Sequence, residues 1–260
     1  MKLLIIPDTQ VRKGVCTDHI RAAGNYIVRH KPDHIVVMGD WWDMPSLSRF
    51  NSNLEAEGLK LKEDLEAGND AMVELLLPYV KWNGKRKAQK KRLYRPKLTY
   101  IVGNHDPQVR IPRLVEEHPI LEGFLTDNTN LFLEGLGFEV VDYLQIKNIE
   151  GIRFSHYIQN PHSLRGSPLS GQIDTMLKNA GHSFVCGHQQ TYKVGKHYLS
   201  DGTQRLGIVA GAFYMHDEKY MGPQSNKHWR GIIQLNEVAD GAGDVCEISL
   251  NYLLKKYGNQ

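Results

Sequence analysis

The chain has 260 residues, 41% hydrophobic and 23% charged, with a formal net charge of +3, which suits a globular protein with one large, well-covered core. No apolar run approaches the roughly 20 residues that span a bilayer, so a membrane-spanning helix is excluded and no membrane partner is expected. Cys16, Cys186 and Cys246 are widely spaced and form no C-x-x-C pair, which excludes a disulfide framework and points to a reducing, cytoplasmic location.

Met1-Lys2-Leu3-Leu4-Ile5-Ile6-Pro7 is apolar but short and runs straight into Asp8, so residues 2–7 read as a buried strand rather than a signal peptide. Thr17 is placed to cap a helix to about Lys31, where Pro32 stops it. Residues 34–38 form a second strand ending at Gly39-Asp40. Leu61, Leu65, Met72 and Leu76 recur at helical spacing, which predicts a long helix over much of 53–79. Residues 54–74 are rich in Glu and Asp. The stretch 81–97 then carries Lys81, Lys85, Arg86, Lys87, Lys90, Lys91, Arg92, Arg95 and Lys97 with no acid. It reads as a basic insertion, at least partly loop because of Gly84 and Pro96, and either a surface for a polyanion or a solvated loop.

Residues 98–102 make a third strand ending at Gly103-Asn104. Runs at 151–155, 183–186, 206–210 and 230–235 read as short strands, with one helix at about 168–180 between the first two. Residues 191–260 read as strands that complete the core. No repeat or low-complexity linker interrupts the chain, so a single domain over 1–260 is expected. The class is α/β (α+β), a two-sheet core flanked by helices.

Polar residues recur directly after the predicted strands: Asp8 and Gln10, Asp40, Asn104-His105-Asp106, His156 and His188. Groups at strand ends share one crevice in α/β folds. Oxygen donors mixed with imidazole suit Mn, Fe, Zn or Mg. A carboxylate bridging two cations about 3.5–4 Å apart organises in-line attack on phosphorus.

These blocks resemble the calcineurin-like metallophosphoesterase superfamily, whose pattern is D-x-H, G-D-x-x, G-N-H-[DE], an isolated His, then G-H-x-H. Here they stand as Asp8-Thr9-Gln10, Gly39-Asp40-Trp41-Trp42-Asp43, Gly103-Asn104-His105-Asp106, Ser155-His156 and Gly187-His188-Gln189-Gln190. The resemblance implies a β-sandwich of two mixed sheets flanked by helices, with a dinuclear metal site at the strand ends. It implies two divalent ions, Mn first, with Mg, Fe, Ni or Zn as alternatives, and hydrolysis of phosphodiesters by a metal-bridging hydroxide. Asp40 is then the bridging carboxylate. Asn104, His156 and His188 hold the second metal, and Asp8 the first. His105 contacts the scissile phosphate, oriented by Asp106. Gln10 and Gln190 stand where the family has His, both at the first metal. A weaker first site that prefers Mn or Mg over Zn is expected, the alternative being a binding module that has lost that metal.

Trp41 and Trp42 follow Asp40 and either stack on a nucleobase or pack beneath the site; packing suits Trp42, and Trp41 is left as a candidate substrate contact. His162 and Arg165 are candidate phosphate contacts or surface residues. Cys186 suits buried filler, and His19 with the other histidines outside the blocks suits ordinary surface or core roles. The W-W-D-M continuation differs from the D-R-G of Ser/Thr protein phosphatases. The basic run, with Lys85, Arg86, Lys87, Lys90 and Lys91, tilts the substrate toward DNA or RNA, because Lys and Arg contacts to phosphates dominate non-specific affinity. The readings are, in order, a nuclease or DNA phosphodiesterase, an esterase acting on a small phosphorylated molecule, and a non-catalytic module. No obligate protein partner is evident.

Overall fold

The structure is a computed structural model that describes residues 1–48, 57–217 and 222–258. In chain order, β1 (Leu3–Ile6) leads through α1 (Asp18–His30) to β2 (His34–Val37). Then come α2 (Leu61–Ala88), β3 (Lys97–Ile101), α3 (Pro107–Glu117), α4 (Thr129–Gly135) and β4 (Glu139–Val141). The hairpin of β5 (Lys147–Ile149) and β6 (Ile152–Phe154) is followed by α5 (Ile173–Ala180), β7 (Phe184–Cys186), β8 (Tyr192–Tyr198) and β9 (Gln204–Ala210). A single turn, α6 (Gly222–Ser225), precedes β10 (Gly231–Ala239), β11 (Ala242–Ser249) and α7 (Leu250–Tyr257).

Among the described residues eleven strands form two sheets, one in the order β11-β10-β1-β2-β3-β4 and one in the order β5-β6-β7-β9-β8. β1 to β4 run parallel, with β10 antiparallel to β1. In the second sheet β6, β7 and β9 run parallel. Side chains alternate faces along a strand, and the sequence uses both faces. Leu3, Ile5, Val36 and Met38 meet Phe154, Val185 and Ile208 between the sheets. Leu4, Ile6, Ile35 and Val37 face outward onto Ile20, Ile27, Met72, Leu75 and Leu253 of α1, α2 and α7. α5 covers the far face of the second sheet through Met176, Leu177, Phe184 and Val209. The layers are therefore helix, sheet, sheet, helix, and the expected two-sheet core flanked by helices is present. Among the described residues no helix is long and apolar enough to cross a membrane.

Several elements differ from the reading of the sequence. Thr17 sits at the N-cap of α1, but its side chain makes no capping bond. The helix expected over 53–79 begins at Leu61 and continues through Pro78 and Gly84 to Ala88; residues 53–56 of that expectation lie outside the described residues. Pro78 is accommodated because its ring faces Gly24 of α1, where no side chain intervenes. The helix expected at 168–180 starts only at Ile173. Residues 191–260 hold α6 and α7 as well as strands.

Trp41 and Trp42 are fully buried, and their indole N–H groups donate to the Gly68 carbonyl at 2.9 Å and the Leu65 carbonyl at 3.3 Å. Trp41 therefore offers no face to a base, and its expected substrate contact is corrected to packing beneath α2. A Cβ on Gly68 would overlap the Trp42 indole. An alanine in place of glycine ordinarily strengthens a helix by about 1 kcal/mol. Overpacking costs about 1–3 kcal/mol, so the sign reverses here. Gly68→Ala should lower the urea midpoint, and a raised midpoint would show that α2 is not seated on Trp42.

Candidate metal centre

β1, β2 and β3 run parallel, so the loops after Ile6, Val37 and Ile101 leave from one end of the first sheet. Those loops carry Asp8, Asp40 and Asn104-His105-Asp106. β6 and β7 bring His156 and His188 to the same place from the second sheet. The loops are bonded to one another. Thr9 and Gln10 amides donate to the Asp40 carbonyl at 3.1 and 2.8 Å, and the Gly187 amide donates to the His156 carbonyl at 2.9 Å. The His188 amide donates to Asp8 Oδ1 at 3.2 Å, which links the two sheets.

Ligand atoms of Asp40, His156 and His188 lie within 4.8 Å of one another. Asn104 Oδ1 completes the group, 3.0 Å from His156 Nε2 and 2.8 Å from His188 Nδ1. Asp40 Oδ2 is 3.3 Å from His156 Nε2. His156 Nδ1 lies 2.8 Å from the Met38 carbonyl. That oxygen only accepts, so Nδ1 carries a proton and Nε2 is the atom turned toward Asp40 and Asn104. Carboxylate oxygen, amide oxygen and two imidazoles converging at these distances fit a divalent cation. Burial works against a charge on His156, but the Asp40 carboxylate outweighs it and raises the imidazole to about 10. Burial also disfavours the Asp40 anion; His156 and His105 outweigh it and hold that carboxyl well below the usual range. Burial lowers His188 to about 4, which keeps it neutral.

The residues expected at the first metal sit beside this group. Asp8 Oδ2 and Gln10 Oε1 are buried and have no hydrogen-bond partner. Two orphaned acceptors on one loop also fit a cation. Burial raises Asp8 to about 7, with His156 opposing and Asp40 adding to the shift. Gln190 Oε1 already accepts from the Tyr214 hydroxyl at 2.8 Å, leaving one lone pair. Gln10, Asp40, His188 and Gln190 all have left-handed backbones, with φ of 44, 46, 66 and 55°. Such conformations cost about 1–3 kcal/mol each in non-glycine residues and persist where surrounding structure imposes them.

The His105 amide donates to Asp40 Oδ1 at 2.8 Å. Its Nδ1 lies 3.2 Å from the Asp43 carbonyl and 3.5 Å from Asp43 Oδ1. Burial lowers its pKa, but Asp40 and Asp43 raise it more. The expected role of Asp106 as the orienting group is corrected. Asp106 is fully buried, and its oxygens accept from the amides of Gly103, Asp40, Trp41 and Trp42. The carboxylate beside His105 is Asp43, which also pairs with Arg12 at 2.9 Å. Asp43 stands three residues after Asp40 in the same block, and that spacing was the available signal. Arg110 also escaped the sequence reading: its Nε donates to the Asn104 carbonyl at 3.2 Å and steadies the ligand loop.

The remaining candidates lie apart. His162 and Arg165 are exposed in the loop between β6 and α5. The later part of that loop, Ser167 to Ser170, borders an open cleft of about 580 Å³ with His188 and Gln189. The basic run does not line the centre. Lys97 pairs with His34 at the start of the parallel strands, roughly 20 Å from Asn104 at the 3.3 Å rise of a strand. Lys85, Arg86, Lys87, Lys90 and Lys91 precede it at that opposite end.

No family model and no curated protein matches the chain. Among solved structures it is similar to Yfce, a phosphoesterase from E. coli, at 13% identity and a TM-score of 0.43, over 95% of this chain and 100% of that one. It is also similar to a conserved uncharacterized protein from Streptococcus pneumoniae TIGR4, a predicted phosphoesterase, at 9% identity and a TM-score of 0.34, over 95% of this chain and 97% of that one.

Cation uptake should be coupled to pH. With His156 raised to about 10, the metal-free imidazole is protonated at pH 7, and ligation requires its lone pair. Mn uptake should therefore release at least one proton, and apparent affinity should rise about tenfold per pH unit for each proton displaced. Calorimetry in buffers of different ionisation enthalpy measures this; uptake with no proton released would remove His156 from the ligand set. The same titration should show one tight and one loose site if the imidazoles serve one cation and the amides of Gln10 and Gln190 another.

Proposed function

We propose that this chain is a divalent-metal-dependent phosphoesterase that hydrolyses phosphodiester bonds. The observation that carries the reading is the convergence of Asp8, Asp40, Asn104, His156 and His188 from two sheets, with His105 beside Asp40. Divalent cations in such a site polarise a phosphoryl oxygen and lower the pKa of water. Asp40, Asn104, His156 and His188 would hold one cation; Asp8, Gln10 and Gln190 would share the other with Asp40. The glutamines are neutral oxygen donors, which favours Mn or Mg over Zn.

His105 is partly exposed. Asp40 and Asp43 favour its protonated form, so it is suited to stabilise charge on the phosphoryl group and to protonate the leaving oxygen. The centre fits a phosphate ester, and our reading takes the substrate to be a phosphodiester, in a nucleic-acid strand or in a small molecule. The basic run, which favoured nucleic acid as the substrate, is too distant to touch the scissile bond. Cys16 and Cys246 are exposed free thiols, which suits a cytoplasmic location.

Linear DNA, RNA, an aryl phosphodiester and an aryl phosphomonoester, each with Mn, Mg, Ni and Zn, form the test. Turnover of a diester, fastest with Mn, is expected, and inactivity across the panel would refute the proposal. Asp40→Asn should abolish turnover and lower metal content. His105→Ala should keep its metal and lose roughly 100-fold or more in kcat, the range for lost acid–base assistance. Metal content falling with activity would make His105 a ligand instead.

A pH profile separates Asp43 from a merely structural role. Asp43 helps to raise the pKa of His105, and the acid is lost as pH rises through that pKa. Asp43→Asn should therefore move the alkaline limb of kcat to lower pH. A limb that stays in place would show that Asp43 does not act through His105.

A further inference from the structure

We propose that the cationic cavity where α1 and α2 end is a second, non-catalytic site that binds the phosphate backbone of a nucleic-acid strand. The cavity measures about 480 Å³ and is lined by Arg29 and Lys31 from the end of α1, and by Lys81, Trp82 and Lys85 from the end of α2. No carboxylate lines it. Among the described residues, none of Arg29, Lys31, Lys81 and Lys85 pairs with an acid. Lysines and arginines near the start of the same helix do pair: Lys13 with Glu63, Lys62 with Glu66, Arg21 with Glu74. Charge is thus segregated along α2. Its acids end at Glu74, and every charged residue from there to Lys97 is a cation.

The cations are held in place by neutral partners. Lys31 Nζ lies 4.6 Å and Arg86 Cζ 5.1 Å from the centre of the Trp82 ring, distances at which the ring attracts a cation. The loop after α2 is clamped back on the helix: Asn83 Nδ2 donates to the Tyr94 carbonyl at 2.7 Å, and the Tyr94 amide donates to Asn83 Oδ1 at 2.9 Å. The Tyr94 hydroxyl donates to the Pro32 carbonyl at 2.6 Å. The Arg86 Nε donates to the Arg92 carbonyl at 3.1 Å. Like charges gathered on an ordered framework repel one another, and an anion relieves that repulsion. The cations extend beyond the cavity along the clamped loop through Lys90, Lys91, Arg92 and Arg95, so they match a row of phosphates better than a single one. The hollow shape and the indole in its wall suit a strand with bases; a bilayer presents a flat face.

The site is remote from the metal centre. From Gly68, seated on Trp42, to Lys85 is 17 residues of helix, or about 26 Å at 1.5 Å per residue. Binding here does not depend on the phosphoesterase reading, and the two stand or fall separately.

The test is anisotropy of labelled single-stranded and duplex oligonucleotides with the full chain over a salt series. The combined variant Lys31→Ala, Lys81→Ala, Lys85→Ala, Arg86→Ala should weaken binding. It should also flatten the dependence of log affinity on log salt by about 3, at roughly 0.7 per contact for single strands. Trp82→Ala should weaken binding with all four cations present. Asp40→Asn should bind as the parent chain does, and the fourfold variant should keep parental turnover of an aryl phosphodiester and the parental thermal midpoint. An unchanged salt slope in the fourfold variant overturns the proposal, as does loss of binding in Asp40→Asn. Retention on anionic vesicles without affinity for oligonucleotides overturns it too. Salt-sensitive oligonucleotide binding in a chain inactive toward every ester would leave this site standing and refute the phosphoesterase alone.

Discussion

Four backbone amides from two strand ends point at one carboxylate. Gly103 donates to Asp106 at 2.7 Å from the β3 side, and Asp40, Trp41 and Trp42 donate at 3.2, 3.0 and 3.3 Å from the β2 side. Any of these buried N–H groups left unpaired would cost about 1–3 kcal/mol. The loops come close enough because Gly39 and Gly103 have no side chains; a Cβ on Gly39 would stand 2.5 Å from the Gly103 nitrogen. Burial and the like charge of Asp40 push Asp106 up to about 7, with the Gly103 amide opposing the shift. This bonding holds Asp40 in its left-handed conformation, and Asp40 then receives the His105 amide at 2.8 Å. Asp40 and His105 are therefore both placed by Asp106, a carboxylate buried beneath them.

The first sheet supplies stiffness, and the loops carry the strain. Left-handed residues gather at Gln10, Asp40, Met44, His188 and Gln190, all in connections that leave buried strands. A loop free in solvent would relax out of these conformations. Here each is tied down at several points, as where the Asp40 carbonyl accepts two amides of the β1 loop. These bonds tie the loops together independently of any cation, which would reduce the ordering required to bind one.

The central strands were legible because β1, β2 and β3 are buried on both faces, and their apolar runs end abruptly in polar residues. His156 and His188 were found for the same reason. The edge strands β4 and β5 were missed, and β8 and β11 were covered only by the general reading of 191–260 as strands: half exposed, their residues mix polar and apolar types over short spans. α3 was missed although Pro107 directly after Asp106 fits a first helical turn; Pro112 inside it reads as a helix breaker. Gly84 suggested a loop where α2 in fact continues to Ala88. Asp106 was given to His105 because the two are adjacent in sequence, but adjacent residues on a turn point in different directions, and Asp43 arrives from another loop. The basic run was read as either a polyanion surface or a solvated loop, and nothing in a linear pattern states which end of a sheet a helix reaches.

The position of β1 governs how the chain reaches this state during synthesis. β1 lies between β2, whose register pairs Leu3 with His34, and β10, whose register pairs Leu3 with Leu235. One edge of β1 meets its partner early; the other waits for a strand 232 positions downstream in the same register. At translation rates of about 5–20 residues per second, that wait is on the order of 10–50 s. Throughout it, an apolar strand beside the nascent metal loops has an open edge, a template for unwanted pairing. So many distant contacts also make for slow folding once the chain is released. A ribosome-associated chaperone that shields residues 3–6 would therefore benefit this protein more than one acting on the finished chain.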